Sequence, residues 1–180
     1  MNSNISLKLY NLIKTGVIKT NAHFWKSFYN EDYINTFPCD LQPVEQELKD
    51  KGINVICVFD ENFPSTKVKL KNSEKAFFFA YKGDITLLNN IDKNIAVIGV
   101  LTPTNEIVER EQKVVKSLIE RGYNIVSGLA KGCDTVAHSE SINNNAKTIA
   151  FLPSTIENTY PKENISLANE IVKNGLIITE

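Results

Sequence analysis

The residues most able to do chemistry lie in a glycine-rich loop, Ser127-Gly-Leu-Ala-Lys-Gly-Cys-Asp134. Gly128 and Gly132 allow tight turns and a close approach of the backbone to a ligand. Backbone N–H groups at the start of the helix predicted to follow would attract a phosphate, and Lys131 would add a positive charge. The spacing matches neither GxGxxG nor the P-loop GxxxxGK[ST]. A strand-to-helix turn that needs its glycines only for geometry is the alternative interpretation.

The same loop and the helix predicted after it also contain residues capable of acid–base or thiol chemistry. Asp134 and His138 lie four residues apart, so on a helix they share one face and could form an acid–base pair. A helix-capping aspartate and a locally hydrogen-bonded histidine are favoured, because no serine, cysteine or metal ligand is placed with them. Cys133 precedes a predicted helix, where a thiolate would be stabilised, but its position also suits a small apolar side chain.

The segment Ile98-Gly-Val-Leu-Thr-Pro-Thr104 is a second place where a phosphate could bind. Gly99 permits a close turn of the backbone, and the hydroxyls of Thr102 and Thr104 could donate to a phosphate oxygen. A capped helix start is the alternative interpretation, because Thr104 or Asn105 can serve as the N-cap of the next helix.

The loop at residues 153–161 is long enough to be functional rather than a simple connection. Within it Tyr160 could stack on a base, and Lys162, just after it, could contact a phosphate. A buried tyrosine with a hydrogen-bonded hydroxyl is the competing interpretation. The aromatic stretch at residues 23–29 is interpreted as core, although aromatics beside lysines can also stack on bases.

Alternating strand and helix patterns place these loops. Short apolar runs predict four strands, at residues 95–98, 123–126, 147–152 and 175–179. Helical periodicity predicts a helix in each interval between them. This order predicts parallel strands joined by right-handed crossovers, in a doubly wound α/β sheet. Such sheets bind ligands at the carboxyl ends of their strands, and each of the three loops described above lies at such an end.

The upstream part of the chain is less regular. A helix is predicted at residues 44–51, with Gly52 ending it, and strands are predicted at residues 53–59 and 76–81. The first forty residues show only a loose helical stripe, broken at Gly16. We therefore expect a small N-terminal helical segment at residues 1–42 and an α/β domain at residues 43–180.

Composition and charge exclude several classes of protein. Apolar residues are 42% and charged residues 23% of the chain, as in a soluble globular protein. The 20 Lys+Arg residues against 21 Asp+Glu residues exclude a domain that coats nucleic acid by net charge alone. Arg110 and Arg121 are the only arginines of the sequence, so bidentate phosphate recognition by arginine is nearly unavailable.

The cysteines and histidines indicate neither a disulfide framework nor a metal site. Cys39, Cys57 and Cys133 are far apart and odd in number, and two histidines are too few for most metal sites. We expect no cofactor and a reducing, cytoplasmic location. The N-terminus lacks a signal-peptide pattern, and no apolar run approaches the ~20 residues of a membrane span, so no membrane association is expected.

Several of these segments together resemble the Rossmann-like domain of the bacterial DNA-processing protein A family, also called Smf. The most specific match is the run S-G-x-A-[RK]-G-x-D-x-x-A-H, which ends at His138. Four other segments match in order and spacing: Ala96-Val-Ile-Gly99, Lys147-Thr-Ile-Ala-Phe-Leu152, Tyr160-Pro-Lys-Glu-Asn164 and Ile178-Thr-Glu180. The resemblance covers about residues 45–180.

The resemblance implies a Rossmann-like domain that binds single-stranded DNA without catalysis. It also implies a homodimer that protects incoming DNA and helps to load the RecA recombinase during natural transformation. The residues that would meet the DNA backbone are Gly99, Thr102, Ser127, Gly128, Lys131, Gly132 and Lys162.

The chain departs from the family pattern in three places. Gly99-Val100-Leu101 stands where the family has Gly-Ser-Arg, so an arginine that contacts phosphate is lost. Pro153-Ser-Thr155 replaces a glycine-rich turn. The sequence ends at Glu180, before the family's Phe-Pro-x-Arg-Asn segment. We therefore expect a truncated or divergent member that lacks the C-terminal part of the family domain and binds DNA more weakly.

These observations predict a single-stranded DNA-binding protein of the DNA-processing type, acting in natural transformation, competence and DNA recombination. A non-catalytic nucleotide sensor is one alternative, which the loss of the arginine favours. A nucleotide hydrolase similar to the phosphoribohydrolases is another. Those enzymes carry a Pro-Gly-Gly-x-Gly-Thr-x-x-Glu motif, which this sequence lacks, so we do not expect an enzyme.

Overall fold

A computed structural model of the chain describes residues 2–64 and 69–180. The chain divides into two compact units, one of Met1–Ala80 with Glu180 and one of Tyr81–Thr179. The domain boundary expected between residues 42 and 43 stays a prediction.

Among its described residues the first unit contains four helices, and a side chain caps the start of each. The helices are α1 (Asn4–Lys14), α2 (Asn21–Ser27), α3 (Glu31–Asn35) and α4 (Leu41–Asp50). The capping side chains accept a hydrogen bond from a backbone N–H of the first turn and belong to Ser3, Thr20, Asn30 and Asp40. These caps satisfy N–H groups that the helix itself leaves unpaired, which compensates for the weak apolar stripe of this region.

The aromatic stretch of the first unit is mainly core. Phe24 is fully buried and stacks on Phe77 with 3.9 Å between ring centroids. The indole N–H of Trp25 donates to the carbonyl of Lys75 at 2.7 Å, and the Lys75 ammonium lies over the indole ring. Tyr29, in contrast, is 62% exposed. The preferred interpretation of residues 23–29 is therefore confirmed for the buried rings.

A carboxylate ties the start of α1 to the end of strand β1 (Asn54–Cys57). Asp60 accepts hydrogen bonds from the Ser6 hydroxyl at 2.6 Å and from the Cys57 N–H at 2.8 Å. Burial acts to raise the pKa of Asp60, but hydrogen bonds from Ser3, Ser6 and Cys57 outweigh it and hold that pKa below its usual value.

The second unit alternates strand and helix as predicted. Its elements are β3 (Asn94–Ala96), α5 (Asn105–Glu120), β4 (Asn124–Ser127), α6 (Cys133–Asn143), β5 (Thr148–Phe151), α7 (Ile165–Asn174) and β6 (Leu176–Thr179). Strands β3, β4, β5 and β6 are successive parallel neighbours, with Ile95 opposite Ile125, Val126 opposite Ile149 and Ala150 opposite Ile177. The prediction of a parallel, doubly wound α/β sheet is confirmed.

Within the second unit the strand order is β6-β5-β4-β3 among the described residues, and strand β2 is Phe78–Gly83. Strand β2 begins in the first unit and ends in the second. One end of the order is β3, which therefore has β4 as its one neighbour.

Several predicted boundaries differ from the structure. The helix predicted at residues 44–51 is Leu41–Asp50, and the strands predicted at residues 53–59 and 76–81 are Asn54–Cys57 and Phe78–Gly83. The first strand of the second unit ends at Ala96 rather than at residue 98, and Ile98 is 79% exposed. An edge strand lacks a second partner to hold its last residues in the ladder, which explains the early end. In the last predicted helical interval, a 3₁₀ turn at Lys162–Asn164 precedes α7, which begins at Ile165.

None of the helices in the described part of the chain combines the length and apolarity needed to cross a bilayer.

We expect Asp60→Asn to lower the free energy of unfolding by about 1–3 kcal/mol at pH 7, because the variant loses hydrogen bonds to a charged acceptor. Since the folded-state pKa is depressed, this contribution is present above the unfolded pKa of about 4 and is lost as the pH falls through the folded value. Denaturant unfolding at pH 7 and pH 3 measures it. The difference in free energy of unfolding between wild type and Asp60→Asn should be smaller at pH 3 than at pH 7. Substitution of the exposed Asp50 by Asn should cause no such difference. An equal difference at both pH values contradicts the assignment.

Candidate nucleic-acid interface

The candidate interface is built on the 127–132 loop, which follows β4. Ser127 is buried, and its hydroxyl donates to the carbonyl of Val97 at 2.7 Å, across to the chain that follows β3. The hydroxyl of this predicted site residue is therefore used within the fold. Any contact of Ser127 with a ligand stays a prediction.

A buried carboxylate holds this loop from inside. Asp134 is 7% exposed, and its Oδ2 accepts the N–H of Gly128 at 3.1 Å and the N–H of Ala130 at 3.2 Å. Asp134 was predicted to cap its own helix or to pair with a histidine. It instead binds the loop that precedes α6, so two loop amides point at a carboxylate of the chain itself.

The 98–104 loop packs directly against the 127–132 loop. The N–H of Cys133 donates to the carbonyl of Val100 at 3.1 Å. A Cβ on Gly99 would lie 2.5 Å from Cys133 Sγ, and a Cβ on Gly132, where φ is +77°, would collide with the carbonyl oxygens of Val100 and Leu101. Both glycines are therefore needed for the contact between the loops, and the structure brings these two predicted residues together.

A third segment, residues 160–164, contacts the same loop through an ion pair. The ammonium of Lys131 lies 2.7 Å from a carboxylate oxygen of Glu163, and both side chains are mostly in solvent. The hydrogen bond that the Lys131 ammonium donates to Glu163 raises the pKa of Lys131, and the same contact lowers the pKa of Glu163. Lys162 is exposed beside Glu163. The two predicted lysines therefore lie on segments that touch.

The remaining predicted contacts in these loops are exposed. Thr102 lies on the surface of the 98–104 loop, whereas Thr104 caps α5 by accepting the N–H of Ile107. Tyr160 is 72% exposed, so the interpretation of a buried tyrosine is wrong. Stacking of Tyr160 on a base stays a prediction.

His138 is a structural residue of the core. It is fully buried, and its Nδ1 lies 2.7 Å from the Thr148 hydroxyl. Burial lowers the pKa of His138 to about 4, so the ring is neutral at pH 7. The carboxylate of Asp134 accepts hydrogen bonds from the 127–132 loop instead of from His138. The two residues do not form an acid–base pair. The favoured alternative is confirmed only in that His138 is hydrogen-bonded within the fold, since its partner Thr148 lies on β5 and Asp134 does not cap α6.

Cys133 and Glu111 form a contact that the sequence did not predict. Cys133 is buried, and the neighbouring Glu111 carboxylate raises the pKa of its thiol, with burial acting in the same direction. A raised pKa disfavours the thiolate. Within residues 2–64 and 69–180, no cluster of three His, Cys, Asp or Glu side chains could hold a metal ion.

Reasoning from the sequence did not include Glu163 and Asn164 among the site residues, although both stand in the quoted Tyr160–Asn164 motif. Asn164 is buried, and its side-chain amide donates to the Leu129 carbonyl at 2.9 Å. The sequence signal was a polar residue at a helix start, which predicts a helix cap rather than a contact 35 residues away.

Residues 54–180 match the family model described as DNA recombination-mediator protein A. The chain is 31% identical over 82% of its length to the DNA processing protein DprA of Bacillus subtilis, and 32% identical over 97% of its length to the protein Smf of Borreliella burgdorferi. It covers 48% and 56% of those proteins, so it spans about half of their length.

Two solved structures are similar to the chain. The X-ray structure of DNA processing protein A from Streptococcus pneumoniae superposes with a TM-score of 0.67 at 23% identity, over 97% of this chain and 62% of that one. A structure described as giving the single-stranded DNA binding mode of DNA processing protein A from Helicobacter pylori superposes with a TM-score of 0.57 at 29% identity, over 71% of this chain and 54% of that one.

Acid should destabilise the protein through His138. The folded-state pKa of about 4 lies below the unfolded value near 6.5, so the stabilising contribution of the neutral ring is complete above about pH 6.5 and is lost as the pH falls toward 4. The loss should reach up to about 3 kcal/mol, at 1.36 kcal/mol for each pKa unit. Urea unfolding at pH 7, 6, 5 and 4 measures it. His138→Gln should flatten the pH dependence in this range, whereas His23→Gln should leave it. A wild-type slope that survives in His138→Gln rules out this assignment.

Proposed function

Because the chain belongs to the DNA recombination-mediator protein A family, we propose that it is a non-catalytic domain that binds single-stranded DNA at the carboxyl ends of its parallel strands. Three segments would form the surface: the 98–104 loop, the 127–132 loop and the turn that carries Lys162. We also propose the wider role of the family for this chain, namely protection of DNA, aid in RecA loading during transformation, and action as a homodimer in the cytoplasm.

The convergence of the three segments is the observation that carries this proposal. The hydrogen bond from Cys133 to Val100 joins the first two loops, and the ion pair of Lys131 with Glu163 joins the second loop to the third segment. The three segments converge at the carboxyl ends of the strands, which is where doubly wound sheets bind ligands. The Helicobacter pylori relative, whose structure is described by its single-stranded DNA binding mode, supports the choice of ligand.

Lysine side chains, rather than loop amides, would contact the phosphates. The amides of Gly128 and Ala130 are bonded to Asp134, which leaves the ammonium groups of Lys131 and Lys162 as the cations of these loops. Contacts of lysine with phosphate carry no base sequence information. We therefore expect binding that tolerates any DNA sequence and weakens with salt.

A site without catalysis agrees with the chemistry of the buried polar groups. Asp134 is bonded to the loop, His138 is neutral inside the core, and the pKa of the Cys133 thiol is raised. None of these three groups is poised to transfer a proton or attack a substrate at pH 7.

Lys131→Ala should weaken binding of oligo-dT and of mixed-sequence oligonucleotides alike. Loss of one contact to a single-strand phosphate should flatten the slope of log affinity against log salt by about 0.7. A salt series by fluorescence anisotropy gives the slope. Lys116→Ala, which removes an exposed lysine of α5, should leave the slope unchanged. An unchanged slope in Lys131→Ala removes this lysine from the site, and a wild type that binds mononucleotides but no oligonucleotide favours the sensor alternative.

Glu163→Gln should strengthen DNA binding, because the neutral amide no longer competes with phosphate for the Lys131 ammonium. An exposed ion pair is worth at most about 1 kcal/mol, so the affinity should rise no more than about fivefold. The same anisotropy titration measures it at low salt. Glu170→Gln is the matched control, since Glu170 also forms an exposed pair, with Lys173 on α7, and should leave the affinity unchanged. Weaker or unchanged binding by Glu163→Gln contradicts competition at Lys131.

A further inference from the structure

The side chain of Asn164 joins two segments that are far apart in sequence. It is 5% exposed, and its Nδ2 lies 2.9 Å from the Leu129 carbonyl, 3.2 Å from the Ala130 carbonyl and 2.8 Å from the Thr135 hydroxyl. The Thr135 hydroxyl in turn donates to the Ala130 carbonyl at 2.8 Å. The amide of Asn164 is thus the donor at the centre of a buried network around the 127–132 loop.

Asn164 occupies the residue before α7 but does not cap that helix. An asparagine at this position ordinarily accepts an N–H of the first helical turn. Here no side-chain cap bond forms at α7, and the amide faces the 127–132 loop instead. The local preference of the residue therefore does not account for its orientation, whereas its contacts with the loop do.

The 127–132 loop, to which Asn164 donates hydrogen bonds, has a strained backbone that other residues must stabilise. Leu129 has a φ of +62° although it is not a glycine, and it is fully buried. Such a conformation costs free energy and persists only where the surroundings over-determine it. Asn164 bonds the carbonyl of that same residue, and Asp134 bonds the amides on both sides of it, at Gly128 and Ala130.

The same hydrogen bonds fix the positions of Lys131 and Lys162. Lys131 follows the bonded Ala130 in the loop, and Lys162 lies two residues before Asn164 in the 3₁₀ turn. Between the two segments, the exposed pair of Lys131 with Glu163 is weak, as surface ion pairs are. The buried amide network is therefore the stronger connection.

We propose that Asn164 is a positioning residue that holds the 127–132 loop and the turn carrying Lys162 together as one DNA-binding surface, an inference that rests on the proposed function. Asn164 need not touch DNA. Its loss lets the two segments move independently, so that Lys131 and Lys162 no longer engage neighbouring phosphates at the same time.

A double-mutant cycle on oligo-dT affinity tests this role. The set is wild type, Asn164→Ala, Lys131→Ala, Lys162→Ala and the two doubles that combine Asn164→Ala with each lysine variant. Asn164→Ala alone should weaken binding about five- to tenfold. Each lysine substitution should weaken binding by a factor at least about threefold smaller in the Asn164→Ala variant than in wild type, as expected for residues of one network. The salt slope of Asn164→Ala should also be flatter than that of wild type.

Asn158→Ala is the matched control for the cycle. Asn158 lies in the preceding loop, is exposed, and bonds Thr155 at 3.2 Å without reaching the 127–132 loop. It should leave affinity and slope unchanged. Titrations are run at least 15 °C below the melting temperature of each variant, so that unfolding does not mimic weak binding. If Asn164→Ala does not fold, Thr135→Val takes its place in the cycle, since it removes one hydroxyl of the same network.

Hydrogen exchange on the free protein gives a readout that does not depend on DNA. Amides of the 127–132 loop should exchange faster in Asn164→Ala than in wild type, while those of α5 keep their rates. Unchanged loop exchange overturns the inference.

The titrations distinguish a failure of the positioning role from a failure of the proposed function. A wild type that binds while the effects of Asn164 and the lysines multiply independently overturns the positioning role alone. A wild type that does not bind oligo-dT at low salt overturns the proposed function, and the inference with it.

Discussion

The shape of the candidate interface depends on one buried carboxylate. Asp134 takes the N–H groups of Gly128 and Ala130, and these bonds hold the intervening Leu129 at a positive φ. A buried carboxylate without such donors would be costly, and loop amides without an acceptor would be costly as well. The carboxylate and the loop therefore stabilise each other, and the positions of the neighbouring segments follow from the shape of this loop.

Close backbone packing adds a second constraint. Because Gly99 and Gly132 leave no room for a Cβ, the 98–104 loop lies flat against the start of α6. The side chains of that loop then face solvent, with Val100 52% and Leu101 66% exposed. In this chain the loop contributes apolar side chains at positions where its family resemblance predicts Ser and Arg. The surface is thereby left with lysines as its cations, each able to contact a phosphate as a point charge but not as a bidentate fork.

The sequence predicts the regular part of the second unit well, because its signals are local. Apolar runs mark β4, β5 and β6, the N-cap at Thr104 starts α5, and Gly122 ends it with a φ of +80°. The early end of β3 could not be predicted, since it depends on the strand's place at the edge of the sheet, which is a property of the whole topology. The separate partners of Asp134 and His138 likewise follow from packing, because helical spacing alone makes the two residues look like a pair.

The least predictable contacts are those that join distant segments. The bond from Asn164 to Leu129 and the pair of Lys131 with Glu163 span 35 and 32 residues of sequence. A single sequence contains no signal for such pairs, since each residue has a sound local interpretation as a helix cap or an exposed charge. These contacts nevertheless decide whether the loops form one surface or three. A single flexible lysine side chain gains little binding free energy from one phosphate at physiological salt. Two lysines held in fixed relation gain more, because the second contact is then made without the entropy loss of bringing a free loop into place. In a chain of net charge −1, this fixed relation rather than the number of cations would allow a local patch to bind a polyanion, as the proposed function requires.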